Sequence, residues 1–126
     1  MKLFPWLAFV PVLALSACKD PVTFTRPSME EVARYRALNV TDVSASNRGS
    51  LCAVSVYGGA AGLEGGATAP EMMLDSPQGA ICTGYLRDVQ PDRVVLSISF
   101  RNESGVMDRK EVVIPKRMIR EFKVAP

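Results

Sequence analysis

Three kinds of hydrophobic patterning follow one another along the chain. Leu3 to Leu15 form an apolar run of 13 residues that includes Pro5 and Pro11. Residues 19–27, KDPVTFTRP, show no period and carry two prolines, the composition of a tether. Ser28 then opens a weakly amphipathic stretch to Asn39, with Met29, Val32 and Ala33 and then Tyr35, Arg36 and Leu38 giving only a modest apolar stripe. Ser28 followed by Glu31 spells a capping box, and Glu30 and Glu31 suit the positive end of a helix. A helix over 28–39 is expected, closed by Asn39.

From residue 50 the period changes to two, the signature of half-buried strands. SLCAVSVY places Cys52, Val54 and Val56 on one face. AICTGYLRDV reads as a second strand, with Gly84 at a bend. RVVLSISFR alternates most cleanly. Val94, Leu96, Ile98 and Phe100 point one way, while Arg93, Ser97, Ser99 and Arg101 point the other. Gln90-Pro91-Asp92 marks the turn before it, and Ser104-Gly105 the turn after it. KEVVI gives a fourth strand, Pro115-Lys116-Arg117 interrupts it, and MIREFKV gives a fifth. Val94, Leu96, Ile98 and Phe100, with Ile114 and Phe122, are the expected core. Residues 58–79 form a long glycine-rich connection without a positive charge. Loops of that length are uncommon in compact domains and are often functional or mobile. The fold class expected is therefore mainly β: one short N-terminal helix followed by a five-stranded antiparallel small barrel.

The opening run is too short for a bilayer span, which needs about 20 apolar residues. With Lys2 as a basic start, it has the proportions of a secretory leader. Its ending, Leu15-Ser16-Ala17-Cys18, resembles the lipobox of bacterial lipoprotein precursors. That resemblance implies a signal peptide over 1–17 and a lipid-bearing Cys18 at the new N-terminus. That resemblance covers the first 18 residues; composition and patterning divide the rest into a lipidated tether over 18–27 and a small β-barrel domain over 28–126. Several acyl chains exceed the two signals that stable anchoring requires. Lys19, rather than an aspartate, follows Cys18, which by resemblance to enteric lipoproteins favours the outer membrane over the inner. An ordinary secretory signal is the alternative.

Composition narrows the chemistry. The 126 residues suit one domain, and 15 basic against 13 acidic residues leave a net charge of +2, too little to indicate nucleic acid. Histidine is absent, which removes the commonest general base and metal ligand and any Ser-His-Asp or Cys-His arrangement within the chain. No metal or cofactor is expected. With Cys18 acylated, Cys52 and Cys82 remain as an even pair in an oxidising compartment. A disulfide between them closes a loop of about 31 residues and stabilises by roughly 3–4 kcal/mol in the chain-entropy model; two separate buried thiols are the alternative. Arg109, Lys110, Lys116, Arg117, Arg120 and Lys123 crowd the last two strands. They suit anionic headgroups or an acidic partner, or form a solvated face interrupted by Glu111 and Glu121.

Gly84-Tyr85-Leu86 is similar to the Gly-x-Leu of the second strand in Sm-like small barrels. Val94 and Leu96 resemble that family's third-strand core, and Ile114, Ile119 and Phe122 the apolar positions around its last turn. Gln90 and Arg93 stand near the places of the family's RNA-binding acidic residue and asparagine, and Lys116 replaces its final glycine. The resemblance, from Gly84 to Phe122, implies the architecture and not RNA binding. Two functions follow. The first is a lipid-anchored, non-enzymatic module of the cell envelope, attached to the membrane through Cys18 and contacting an envelope protein or glycan. The second is a small hydrolase using the loop carboxylates Glu64, Glu71 and Asp75.

Overall fold

A computed structural model describes residues 24–126. The leader, Cys18 and most of the tether lie outside the described residues. Residues 25–98 and 109–126 make up the main unit, and Ser99–Asp108 with Phe24 belong to a second.

The capping box forms as the sequence specifies. Ser28 Oγ accepts from the Glu31 N–H at 3.1 Å, and Glu31 Oε1 accepts from the Ser28 N–H at 2.8 Å. The helix it starts, α1, is only Met29–Ala33, not 28–39. An isolated helix this short is not stable on its own. It is held by Val32, which packs with Ala53 and Ile81, Tyr35 and Leu74 flanking them. Arg36–Leu38, expected in the helix, is instead a strand, β1, because it pairs with the chain's last strand. Asn39 then caps a 3-10 turn, Val40–Asp42, its side chain accepting from the Thr41 N–H at 3.3 Å.

Six further strands follow: β2 Leu51–Val56, β3 Met73–Ser76, β4 Gly79–Val89, β5 Arg93–Arg101, β6 Met107–Pro115 and β7 Ile119–Val124. The expected five are β2, β4, β5, β6 and β7; β1 and β3 are additional. All seven belong to one sheet ordered β1-β7-β2-β4-β5-β6, with β3 also paired to β4. The sheet is antiparallel and not closed, so the five-stranded barrel expectation is met in its β content and not in its count or closure. β4 is long enough to serve successive neighbours on one edge. Its first half, Gly79 to Cys82, pairs with β3, and its second, Tyr85 to Val89, with β5. Where the two ladders part, the buried Thr83 hydroxyl donates to the Met72 carbonyl at 2.9 Å. Gly84 lies beside that junction, where a Cβ would come within 2.8 Å of Met72 Cε and 3.2 Å of the Ser97 carbonyl oxygen.

Even-numbered residues of β2, and of β4 as far as Leu86, face the main core. Cys52, Val54, Val56, Cys82 and Leu86 are buried, together with Val94, Leu96, Ile98, Val112, Ile114 and Phe122. Phe100, expected among them, is only half-buried. It lies at the end of β5, beyond the residues of that strand that belong to the main unit. The long connection is not a bare loop. It holds β3 and two 3-10 turns, Ala60–Gly62 and Pro70–Met72, and it buries Leu63, Ala69 and Met72. Its middle is tied to β6 by the Val113 N–H donating to the Glu64 carbonyl at 3.0 Å. Gly65, at φ +84°, fits this approach because a Cβ there would collide with the Glu111 carbonyl. The end of the tether is also fixed to the main unit. The Arg26 guanidinium donates to the Pro70 and Met73 carbonyls at 3.2 and 2.7 Å, so the folded unit begins before Ser28.

Phe122 is buried and Phe100 is not, which separates two otherwise similar truncations. Phe122→Ala is expected to cost about 3–5 kcal/mol, and Phe100→Ala clearly less. Urea denaturation checks this, and equal midpoint shifts would contradict the placement of the core.

Candidate functional site

The outer face of the sheet carries α1 and a groove beside it. Ser55 on β2 sits between Ile81 on β4 and Glu121 on β7, and Ala53 sits between Thr83 and Lys123. These odd-numbered positions form the face that Val32 covers in part. A cavity of about 300 Å³ remains, lined by Met29, Val32 and Ile81 on its apolar side and by Ser55, Ser76, Gln78, Arg120, Glu121 and Lys123 on its polar side. Met29 is 41% exposed there.

Arg120 reaches this groove through a bulge. Ser55 pairs with Glu121, but the next residue, Val56, pairs with Ile119, leaving Arg120 unpaired in the ladder. Regular alternation would set Arg120 opposite buried Val56, on the core face. The bulge gives that place to Ile119 and leaves Arg120 and Glu121 as two consecutive exposed residues in a strand. Re-aiming a side chain is a recognised consequence of a bulge. Lys123 Nζ lies 3.8 Å from Glu121. Arg120 makes no hydrogen bond or ion pair among the described residues.

A second cleft, of about 290 Å³, lies where the β4–β5 turn meets the β6–β7 link. Gly62, Glu64, Asp92, Arg93, Val113, Pro115 and Arg117 line it. The Arg93 guanidinium donates to both Asp92 carboxylate oxygens, at 3.2 and 3.3 Å. That bond holds the Asp92 carboxyl below its ordinary range. The Lys116 N–H donates to the Asp92 carbonyl at 2.8 Å, tying the two connections together.

The six basic residues stand in different local settings. Lys110 bonds both oxygens of Glu71, at 2.8 and 3.0 Å. Arg109 lies 4.0 Å from Glu111, which Arg87 meets at 2.8 Å. Lys116 and Arg117 belong to the 3-10 turn at the second cleft, while Arg120 and Lys123 line the first groove. The loop carboxylates are likewise dispersed. Glu64 faces the Arg93 and Arg117 cleft, Glu71 is held by Lys110, and Asp75 lies exposed on β3 opposite Ala80. The Lys110 bond keeps the Glu71 carboxyl low, the opposite of what a general acid needs at neutral pH. Among the described residues no three His, Cys, Asp or Glu side chains gather as metal ligands would.

Cys52 and Cys82 lie on paired strands, as expected, but as buried free thiols. This structure shows no disulfide between them, and the register accords with that. Cys52 stands opposite Gly84 and Cys82 opposite Val54, so the two are diagonal neighbours. Such positions are roughly 7–8 Å apart, outside the Cα separation of up to about 7 Å that a disulfide spans. Burial pushes each thiol up to about 12, where it is a poor nucleophile.

The bulge at Arg120 is not visible in the period-two pattern of residues 118–124. Its signal was present in the adjacent charges Arg120-Glu121 inside an otherwise alternating strand. Searches against protein-family models, curated proteins and solved structures find no match to this chain.

The thiols make two measurable statements. In the native state alkylation should label neither Cys52 nor Cys82, and in guanidinium without reductant it should label both. A pair that stays unlabelled after unfolding would show a disulfide. Burial makes the folded thiols keep their protons up to about 12, whereas an ordinary thiol loses its proton near 9.0. Between those values the unfolded chain binds fewer protons, so their contribution is complete below pH 9 and is lost as pH rises toward 12. Denaturation midpoints at rising pH should therefore fall less steeply in a Cys52→Ala, Cys82→Ala double variant than in the parent.

Proposed function

We propose that this chain is a lipid-anchored, non-enzymatic interaction module of a bacterial cell envelope. The ending Leu15-Ser16-Ala17-Cys18 after a 13-residue apolar run carries the proposal. Cys18 takes the lipid, the domain faces the periplasm, and the outer membrane is favoured over the inner because Lys19 follows Cys18. The folded part supports a binding role over hydrolysis. Glu64 lines the cleft beside Arg93, Glu71 is held by Lys110, and Asp75 stands exposed on β3, so no two of them line one cleft among those described. Two clefts, by contrast, present charged groups at the surface.

The small-barrel reading also belongs to this proposal. Its support is the order β7-β2-β4-β5-β6 and the three-residue link Lys116–Met118 between strands at opposite ends of that series.

Full-length protein produced in an exporting bacterium is expected in the membrane fraction, with an acylated N-terminal fragment beginning at Cys18 by mass spectrometry. Cys18→Ser should release it into the soluble periplasmic fraction. An unmodified N-terminus downstream of Cys18, or a parent protein as soluble as the variant, would overturn the anchoring. Hydrolysis of an envelope glycan that disappears on joint substitution of Glu64, Glu71 and Asp75 would overturn the non-enzymatic reading.

A further inference from the structure

The groove beside α1 offers three kinds of contact within one small volume. Arg120 is a cation without a partner among the described residues. Lys123 is matched by Glu121 at 3.8 Å, so the polar side of the groove carries one uncompensated positive charge. Ser55, Ser76 and Gln78 add hydroxyl and amide groups. Met29, Val32 and Ile81 supply an apolar side, and Met29 keeps 41% of its surface exposed. The cavity, about 300 Å³, is at the small end of ligand pockets. It accommodates a short segment and not a large cofactor.

We propose that this groove binds the C-terminal residue of a peptide whose last side chain is apolar. The terminal carboxylate pairs with Arg120, whose planar fork suits it. The last amide meets Ser55, Ser76 or Gln78, and the terminal side chain packs against Met29, Val32 and Ile81. The bulge makes this geometry available: without it Arg120 would face the core and the groove's charge would be balanced. This deepens the module reading by giving its domain a ligand class. The two fail separately, since anchoring is read from fractionation of Cys18 variants and the groove from titration.

The test is calorimetric titration of the full chain, in detergent, with acetyl-Ala-Ala-Leu as free acid and as C-terminal amide. The acid should bind saturably, and the amide at least about 10-fold more weakly, as loss of a charge-assisted bond implies. Arg120→Gln should weaken the acid by a similar factor and abolish the difference between acid and amide. Arg120→Lys should restore part of it. Arg117→Gln, in the other cleft, should change neither, and circular dichroism confirms that each variant is folded. Equal binding of acid and amide, discrimination that survives Arg120→Gln, or no saturation at millimolar peptide would overturn the proposal. Isovalerate binding as tightly as the peptide would overturn the peptide assignment, since it carries the charge and the apolar tail without the amide.

Discussion

The connection between β6 and β7 constrains the rest of the main unit. Pro115 ends one strand and Ile119 begins the next, with only the 3-10 turn Lys116–Met118 between them. Yet in the sheet these strands are separated by β2, β4 and β5. In a flat sheet four strand spacings amount to roughly 19 Å. The few intervening residues reach about 14 Å at full extension, and less in a 3-10 conformation. The sheet must therefore bend. Bending turns the even-numbered faces of β2, β4 and β5 and the Val112 and Ile114 face of β6 toward a common interior, which is where the buried side chains are found. The Lys116 N–H bond to the Asp92 carbonyl fastens the link to the β4–β5 turn.

A bent sheet leaves an outer face that also needs cover, and here the covering is partial. Ala53 and Ile81 point outward from strands whose other face is already in the core. They are protected by Val32 of a helix only five residues long. So short a helix exists because of what it covers: its capping box fixes the first turn, and its one buried side chain fixes its position. The part of the outer face that it does not reach is the groove. The two packing layers and the candidate site thus have a common origin in a sheet apolar on both faces at β2 and β4.

What the sequence disclosed follows the strength of each local pattern. The bounds of β5 are legible to the residue, because Val94, Leu96, Ile98 and Phe100 recur at every second position and only Val95 breaks the polar set between them. β4 and β2 were legible although both their faces are largely buried, since flanking turn residues bounded them. β1 was hidden because Arg36-Ala37-Leu38 has no alternation and continues a capped helical start. Its strand character comes from pairing with Val124, Lys123 and Phe122, a long-range contact that no local window contains. β3 was hidden within a glycine-rich segment for the same reason. For Cys52 and Cys82 the expectation and the structure differ at a finer level. The strands were matched correctly, but the register, two residues away from placing the thiols opposite each other, is set by the turns and the packing rather than by the cysteines.

The candidate site was the least legible feature, and the cause is physical. A period-two reading assigns each residue to a face by counting, and a bulge breaks the count at one position. From Glu121 onward β7 obeys alternation; Arg120, between Ile119 and Glu121, is the residue that breaks it. In a strand with one dry face, a guanidinium set by alternation opposite Val56 would be buried without a counter-ion, at a cost of several kcal/mol. The bulge removes that conflict by placing Ile119 against Val56 and Arg120 in solvent. A charged residue at an apparent core position within a strand is therefore informative by itself. Either a partner is buried with it or the backbone changes phase there, and in this chain the change of phase places Arg120 in the groove.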